Sequence, residues 1–292
     1  MHKTDKLLIP AFVFIAFLFF YGTGCETAFD PLQENDQYKF SMYGVLDLHA
    51  DTQWIRVTPI QDTLLSRSTE PIDAQVTLTR ERTNETVVLE DSLFLYSSFA
   101  YARNYWTPER LHPEEEYTVQ ARGQDNQYSS VLVTMPASLP LPVVEYTFVE
   151  EKGMVYGEGV ENLVVAETNY LIQVIAFGRP SPPFTVVFSH LSDAFVEPNG
   201  DYRFPVDFWP RIREIVAPSD SVIILEREVV VASSRKDWPD LSGLDKQEIF
   251  IPEGDSNVEN GTGMIAGIAS RKMPLESCFD EEGKLTACPE LK

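Results

Sequence analysis

The chain has 292 residues and a formal net charge of −22 at pH 7, from 45 acidic and 23 basic side chains. Nucleic-acid affinity depends on clustered Lys and Arg that contact phosphates, and no segment of this chain supplies such a cluster. The composition therefore excludes a nucleic-acid partner and indicates an acidic, well-solvated surface.

The N-terminus has the order of a secretion signal. Lys3 and Lys6 precede an apolar run at residues 7–21, and the small residues 22–24 stand directly before Cys25. Basic, apolar and small segments in this order are typical of an export signal. The apolar run is shorter than the roughly 20 apolar residues that a membrane-spanning helix needs. We therefore predict export rather than a spanning anchor.

The stretch before Cys25 resembles a lipobox, the motif at which lipoprotein signal peptidase cuts and leaves a lipid on the new N-terminal cysteine. It departs from the usual pattern at Gly22, where Leu is common. The resemblance implies a signal peptide at residues 1–24, lipid attachment at Cys25 and a tether at residues 25–37. Acyl chains on that cysteine would hold the protein at a membrane. An ordinary signal peptide, cut nearby and leaving Cys25 as a free thiol, is the alternative.

The chain after the tether consists of short stretches in which apolar and polar residues alternate. This period of two, with turn residues between the stretches, is typical of strands in a β-sandwich. We predict one such sandwich at residues 38–140, with strands at 38–48, 53–60, 74–81, 85–92, 116–123 and 129–136.

The segment 111–136 is the most specific part of this region. A proline turn leads to Tyr117 and an alternating strand, and a polar turn at Asp125 and Asn126 leads to a final strand ending at Pro136. This order resembles the last two strands of a fibronectin type III or related immunoglobulin-like domain. The resemblance implies that the Tyr117 side chain holds a corner by bonding to backbone upstream of it.

The proline-rich stretch 135–143 is the best candidate for a domain boundary, because its prolines cannot continue a sheet ladder. Strand-like stretches follow it and predict a second β-rich domain at residues 141–252. One short helix is expected near residues 208–218. Residues 253–292 contain the turn signal Asn260-Gly261 and form a predicted hairpin and tail.

The tail carries Cys278 and Cys288, which in an oxidising compartment predict a disulfide. A zinc site is the rival interpretation, but two cysteines with no histidine nearby supply only half of a ligand set. The predicted fold class is therefore all-β: tandem immunoglobulin-like or fibronectin-like β-sandwich units with a short disulfide-closed C-terminal tail.

The chain from Cys25 to about Ile268 resembles the uncharacterised Bacteroidetes lipoproteins grouped as the domain of unknown function DUF4249. The resemblance rests on the Cys25 start, the strand pair YGVLDLHADTQWIRVTPI (43–60), the fibronectin-like stretch and SNVENGTGMIAG (256–267). It implies an outer-membrane lipoprotein, exposed to the periplasm or the cell surface and often encoded beside a TonB-dependent receptor. It implies no established activity. Glu26, which is not the aspartate of inner-membrane retention, also favours the outer membrane.

Residues that could carry catalysis are sparse. His49, His112 and His190 do not occur in an HExxH helix or a GxSxG turn, and no glycine-rich phosphate motif is present. Paired carboxylates such as those at 114–116 read as solvated surface charge. The acidic stretch 255–261 departs from the spacing of a calcium loop. We therefore predict a protein without enzymatic activity, metal or cofactor.

Aromatic residues cluster at 94–106 and 201–209. If exposed on loops, they could stack on sugar rings or anchor a partner protein; otherwise they fill the two cores. The candidate contact residues are Tyr101, Tyr105, Trp106 and Trp209. The predicted function is a lipid-anchored cell-envelope binding or accessory protein that works with a TonB-dependent receptor in nutrient capture or complex formation. A structural or adhesive surface protein and an unrecognised hydrolase are the alternatives.

Overall fold

A computed structural model describes residues 39–60, 71–97, 100–124, 127–236, 238, 256–275, 277–279 and 285–287. These residues fall within one compact unit, Gln37–Lys292. They are mostly strand, which confirms the predicted all-β class. The strands before the proline-rich stretch are β1 (Phe40–Asp47), β2 (Gln53–Pro59), β3 (Gln75–Arg80), β4 (Glu85–Val88), β5 (Glu90–Ser97), β6 (Ala100–Thr107), β7 (Glu116–Arg122) and β8 (Tyr128–Thr134).

The strands after that stretch include three of 14 or 15 residues, β11, β16 and β17. A short helix, α1 (Phe208–Ile212), confirms the helix expected there, and a 3-10 turn covers Leu191–Asp193. The strands are β9 (Val143–Thr147), β10 (Lys152–Gly157), β11 (Asn162–Ala176), β12 (Arg179–Pro180), β13 (Phe184–Ser189), β14 (Phe195–Val196), β15 (Tyr202–Asp207), β16 (Ser221–Ser234), β17 (Gly261–Pro274), β18 (Ser277–Phe279) and β19 (Leu285–Ala287).

The first half of the chain forms a β-sandwich. One sheet has the order β5-β6-β2-β1, and the other has the order β4-β3-β7-β8. Alternation within each strand creates the core, because every second side chain points between the sheets. In β2, for example, Ile55 and Val57 are buried whereas Trp54, the residue before Ile55, is 41% exposed. The facing sheet contributes Leu78, Val119 and Val131 to the same core.

Tyr117 forms the corner that the sequence predicts. Its side chain is buried, and its Oη accepts a hydrogen bond from the backbone N–H of His112 at 3.0 Å. Burial raises the pKa of this phenol above its ordinary value. Beside it, a hydrogen bond from Arg80, with a second from Arg82, lowers the pKa of Glu115 to about 2. The corner therefore ties the start of β7 to the chain upstream of it.

The second half of the chain packs a four-stranded sheet, β14-β15-β10-β9, against the long strands β11 and β16. The buried side chains of this layer include Val155 and Phe204 from the small sheet, together with Ala166 and Val231 from the long strands. These residues belong to the same buried cluster as the core of the first sandwich. The hydrophobic core is therefore continuous across the proline-rich stretch.

Strand β17 joins the two halves, because it pairs in parallel with β1 and antiparallel with β16. The result is a nine-stranded sheet with the order β12-β11-β16-β17-β1-β2-β6-β5, in which β13 also pairs with β11. Asn260 has a φ of 52° and leads into this strand. Gly263 has a φ of 109° and lies opposite Met42 of β1, so closely that a Cβ would overlap the Met42 carbonyl oxygen. Glycine is required there by both conformation and space.

Candidate functional site

Three aromatic side chains from neighbouring strands lie together on the outer face of the nine-stranded sheet. Trp54 of β2 is paired in register with Trp106 of β6, and Phe94 comes from β5. The Trp54 ring lies 5.5 Å from the Phe94 ring, edge to face, and 6.0 Å from the Trp106 ring. Trp54 and Phe94 are 41% and 42% exposed. We call these three residues the aromatic face.

Polar side chains continue this surface along the sheet. Arg56 follows Trp54 on the same face of β2, and its Nε donates a hydrogen bond to Asn104 Oδ1 of β6 at 3.3 Å. Tyr43 of β1 lies opposite Arg56 in register. Tryptophan, tyrosine and arginine are the residues most enriched at the energetic centres of protein interfaces. The aromatic face and its polar border therefore have the composition of a protein-binding surface.

The predicted contact residues divide between this surface and the core. They lie on strands and a helix, not on loops, because the aromatic stretches pair within the sheet and α1. Trp106 belongs to the aromatic face, and Tyr101 is 37% exposed on the opposite side of β6. Tyr105 is 3% exposed and fills the core, where burial raises its pKa. Trp209 is half-buried in α1 and packs edge to face on Phe208 at 5.1 Å.

Sequence reasoning misses Trp54 and Phe94 as site residues. The signal for Trp54 is the alternation of β2, because Ile55 and Val57 share one face and Trp54 must point to the other. Phe94 lies in the aromatic stretch 94–106, but nothing in that stretch shows that Phe94 is exposed and Tyr105 is not.

The cysteine predictions fall mostly outside the described residues. Cys25 and Cys288 both lie outside them, so lipid attachment and the disulfide stay predictions. Cys278 lies in β18, opposite Thr286 of β19.

The outer face of the small sheet β14-β15-β10-β9 carries two depressions. One has a volume of about 900 Å³ and is bordered by Thr147, Lys152 and Asp207. The other has a volume of about 470 Å³ and is lined by side chains that include Tyr156 and Arg203. Pockets of several hundred Å³ are the size that small ligands occupy.

A buried polar cluster connects the turn after β9 with the long strands. The Glu151 carboxylate accepts hydrogen bonds from Arg227 Nε at 2.8 Å, from the second Arg227 nitrogen, Nη2, and from Tyr146 Oη at 2.7 Å. The hydroxyls of Tyr146 and Tyr170 are 3.3 Å apart. Burial raises the pKa of both phenols. Because Arg227 and Tyr146 both donate to the Glu151 carboxylate, this cluster stabilises the fold and does not present a free general base.

The histidines serve structural contacts. His190 is 2% exposed, its Nε2 lies 2.9 Å from Thr168 Oγ1, and its ring stacks on Phe204 at 5.5 Å. Burial lowers the pKa of His190 to about 4, so its imidazole is neutral at pH 7. His112 provides the backbone donor for the Tyr117 corner.

His49 lies beside a serine and an aspartate. Its Nε2 lies 3.5 Å from Ser138 Oγ, and burial lowers its pKa. Asp47 Oδ1, however, accepts from the backbone N–H of His49 and of Ser270, each at 3.0 Å. In a catalytic triad, the carboxylate accepts a hydrogen bond from the imidazole Nδ1–H. This arrangement instead fixes the turn between β1 and β2.

The described residues form neither a metal-binding cluster nor a membrane-spanning helix. Within the part of the chain that the structure describes, no group of three or more His, Cys, Asp or Glu side chains converges as a metal site would require. Among those same residues, no helix has the length and apolar character needed to span a membrane.

Comparison with known proteins gives little resemblance. No protein-family model matches the chain, and no curated protein matches it. Among solved structures, the chain is similar to the pullulanase of Anoxybacillus sp. LM18-11, with a TM-score of 0.21, 10% identity and coverage of 67% of this chain. The complex of that pullulanase with maltotriose gives a TM-score of 0.22 at 9% identity, again over 67% of this chain. The chain spans about a quarter (24%) of the length of the pullulanase.

Proposed function

We propose that this protein is a non-enzymatic, lipid-anchored protein of the cell envelope that binds another envelope protein through its aromatic face. The cluster of the exposed Trp54 and Phe94 with the half-buried Trp106 is the observation that carries the proposal. The lipobox-like residues before Cys25 support the anchor. The resemblance to Bacteroidetes lipoproteins supports an outer-membrane location, with the body exposed to the periplasm or the cell surface.

The shape and composition of the aromatic face favour a protein partner. The three rings lie on paired strands of a sheet, so they form a broad surface and not a pocket. Val45, opposite Trp54 in register, extends the apolar area and is 45% exposed. Apolar patches bordered by polar side chains mark interaction sites on soluble domains. Large aromatic rings also bring contact area at low entropic cost.

The partner that the resemblance favours is a TonB-dependent outer-membrane receptor. The protein would act as an accessory, either in capturing a nutrient for the receptor or in shaping the receptor complex. The lipid anchor would confine both proteins to one membrane and so raise their effective concentration. Modest affinity through a single aromatic face would then be sufficient.

The test uses the native, membrane-extracted protein from its own cells. Mass spectrometry of the N-terminus should find lipid on Cys25, and affinity capture should recover the receptor. Trp54→Ala should lower that capture about tenfold or more, because truncating a central interface tryptophan costs about 2 kcal/mol or more. Leu132→Ala is the matched control, since Leu132 is 56% exposed on β8 of the other sheet.

Each part of the proposal can fail separately. An unmodified N-terminus would refute the anchor. Capture that is equal in the native protein and in Trp54→Ala, with unchanged thermal unfolding, would refute the aromatic face as the binding surface. Absence of any envelope partner would favour a structural or adhesive role instead.

A further inference from the structure

The smaller depression on the sheet β14-β15-β10-β9 has the features of a ligand pocket. It has a volume of about 470 Å³ and lies where β10 ends and β15 begins. We call it the β10–β15 pocket. Its lining residues of interest are Val143, Tyr156, Phe195, Glu197, Tyr202 and Arg203.

Four side chains form a row across the strands at the pocket. Val143, Tyr156, Arg203 and Phe195 are successive partners in register on β9, β10, β15 and β14. Adjacent strands are about 4.8 Å apart, so the row extends for roughly 14 Å. The Arg203 guanidinium lies over the Phe195 ring at 5.1 Å from its centroid. The row therefore places one positively charged hydrogen-bond donor, Arg203, between two aromatic side chains, with an apolar side chain at one end.

Carboxylates border this row at the ends of the strands. Glu158, Glu197 and Asp201 all line the pocket. Asp201 accepts a hydrogen bond from Asn199 Nδ2 at 2.8 Å. Within the described residues, no ion pair joins these carboxylates to Arg203. The three carboxylates and the Arg203 guanidinium therefore line one pocket without forming an ion pair with one another.

We propose that the β10–β15 pocket binds a neutral saccharide. Sugar hydroxyls can donate to Glu158 and Glu197 and accept from Arg203. The apolar face of a sugar ring can pack on Phe195 or Tyr156. The site is separate from the aromatic face and does not depend on the proposed function.

The charges in and around the pocket argue against an ionic ligand of a single sign. An anion would meet three carboxylates and the field of a protein with a net charge of −22. A cation could pair with the carboxylates, but it would be repelled by the Arg203 guanidinium and would leave that donor without an acceptor. A zwitterionic peptide could satisfy both signs, but it would leave the aromatic rings without a matching apolar ring face. A neutral polyhydroxylated ring satisfies all of these groups.

The test is isothermal titration calorimetry of the full protein with four neutral trisaccharides: cellotriose, laminaritriose, mannotriose and N-acetylchitotriose. We expect at least one to bind with a dissociation constant of about 1 mM or tighter. Arg203→Ala should weaken that binding about 10-fold to 100-fold, because it removes a charge-assisted donor. Arg122→Ala is the matched control, since Arg122 also lies over an exposed ring, Tyr128, at 5.7 Å, but in the other sandwich.

Further variants separate the outcomes. Trp54→Ala should leave saccharide binding unchanged, because Trp54 lies on the aromatic face and not in the pocket. The proposal is overturned if none of the four trisaccharides binds, or if Arg203→Ala and Arg122→Ala bind equally well. If triglycine binds and the sugars do not, and Arg203→Ala weakens the binding of triglycine, the pocket binds zwitterionic peptides. That result would also overturn the proposal.

Discussion

Replacing Gly263 with alanine tests the close approach of β17 to β1 that unites the two halves of the protein. Gly263 has a φ of 109°, a region that residues with a side chain rarely adopt. A Cβ there would overlap the Met42 carbonyl oxygen and would lie 2.9 and 3.0 Å from the Met42 carbonyl carbon and nitrogen. The obstructing atoms are backbone of a paired strand, so they cannot move away without opening the ladder.

The expected loss of stability combines two costs. Holding a residue with a side chain in a disfavoured backbone region costs about 1–3 kcal/mol. Forcing an extra carbon into a packed interior costs about 1–3 kcal/mol more. Gly263→Ala should therefore lower the free energy of unfolding by about 2–6 kcal/mol, a large part of the 5–15 kcal/mol typical of a folded protein.

Gly178→Ala provides the matched control. Gly178 also has a positive φ, of 72°, but no atom lies within 4 Å of the position that its Cβ would take. Its substitution should cost only about 1 kcal/mol. Urea unfolding followed by tryptophan fluorescence measures both variants. If Gly263→Ala is no less stable than Gly178→Ala, the parallel pairing of β17 with β1 is refuted.

Three further predictions concern buried contacts. Tyr117→Phe removes the acceptor for the His112 N–H, so the free energy of unfolding should fall by about 1–2 kcal/mol in urea melts. Arg227→Met should cost about 3–5 kcal/mol, because it leaves the Glu151 carboxylate buried and unpaired, and calorimetry should show a lower Tm. His190→Gln should reduce the loss of stability between pH 7 and pH 5 by about 1–2 kcal/mol, after allowance for solvent screening.

The sign of the last effect follows from the two pKa values. Burial lowers the pKa of His190 from 6.5 to about 4, so between these values the unfolded chain binds a proton that the folded protein does not. Stability therefore falls as the pH falls through this window. An unchanged pH slope in His190→Gln would contradict the assignment. A Tyr117→Phe protein of native stability, or an Arg227→Met protein with native Tm, would contradict the corresponding contact.

The candidate site was only partly predictable. The aromatic stretch ending at Trp106 predicts a contact surface, and the structure places Trp106 on the aromatic face with Trp54 and Phe94. The same stretch also contains Tyr105, which is buried. Neighbours on a strand point to opposite faces, so clustering in sequence does not identify the exposed member. The β10–β15 pocket combines strands that are up to 60 residues apart, and no local pattern reveals it.

The sequence predicts most of the strands, the short helix and the Tyr117 corner, because each depends on residues within one short segment. It misses β6 and most of β5, for which it predicts no strand. Alternation with a period of two and a proline turn before a tyrosine are local signals. The position of β17 between β1 and β16, which brings strands from both sides of the predicted boundary into one sheet, is visible in the folded protein alone. Pairing between strands far apart in the chain depends on non-local hydrogen bonds and shared burial, which alternation within a single strand does not encode.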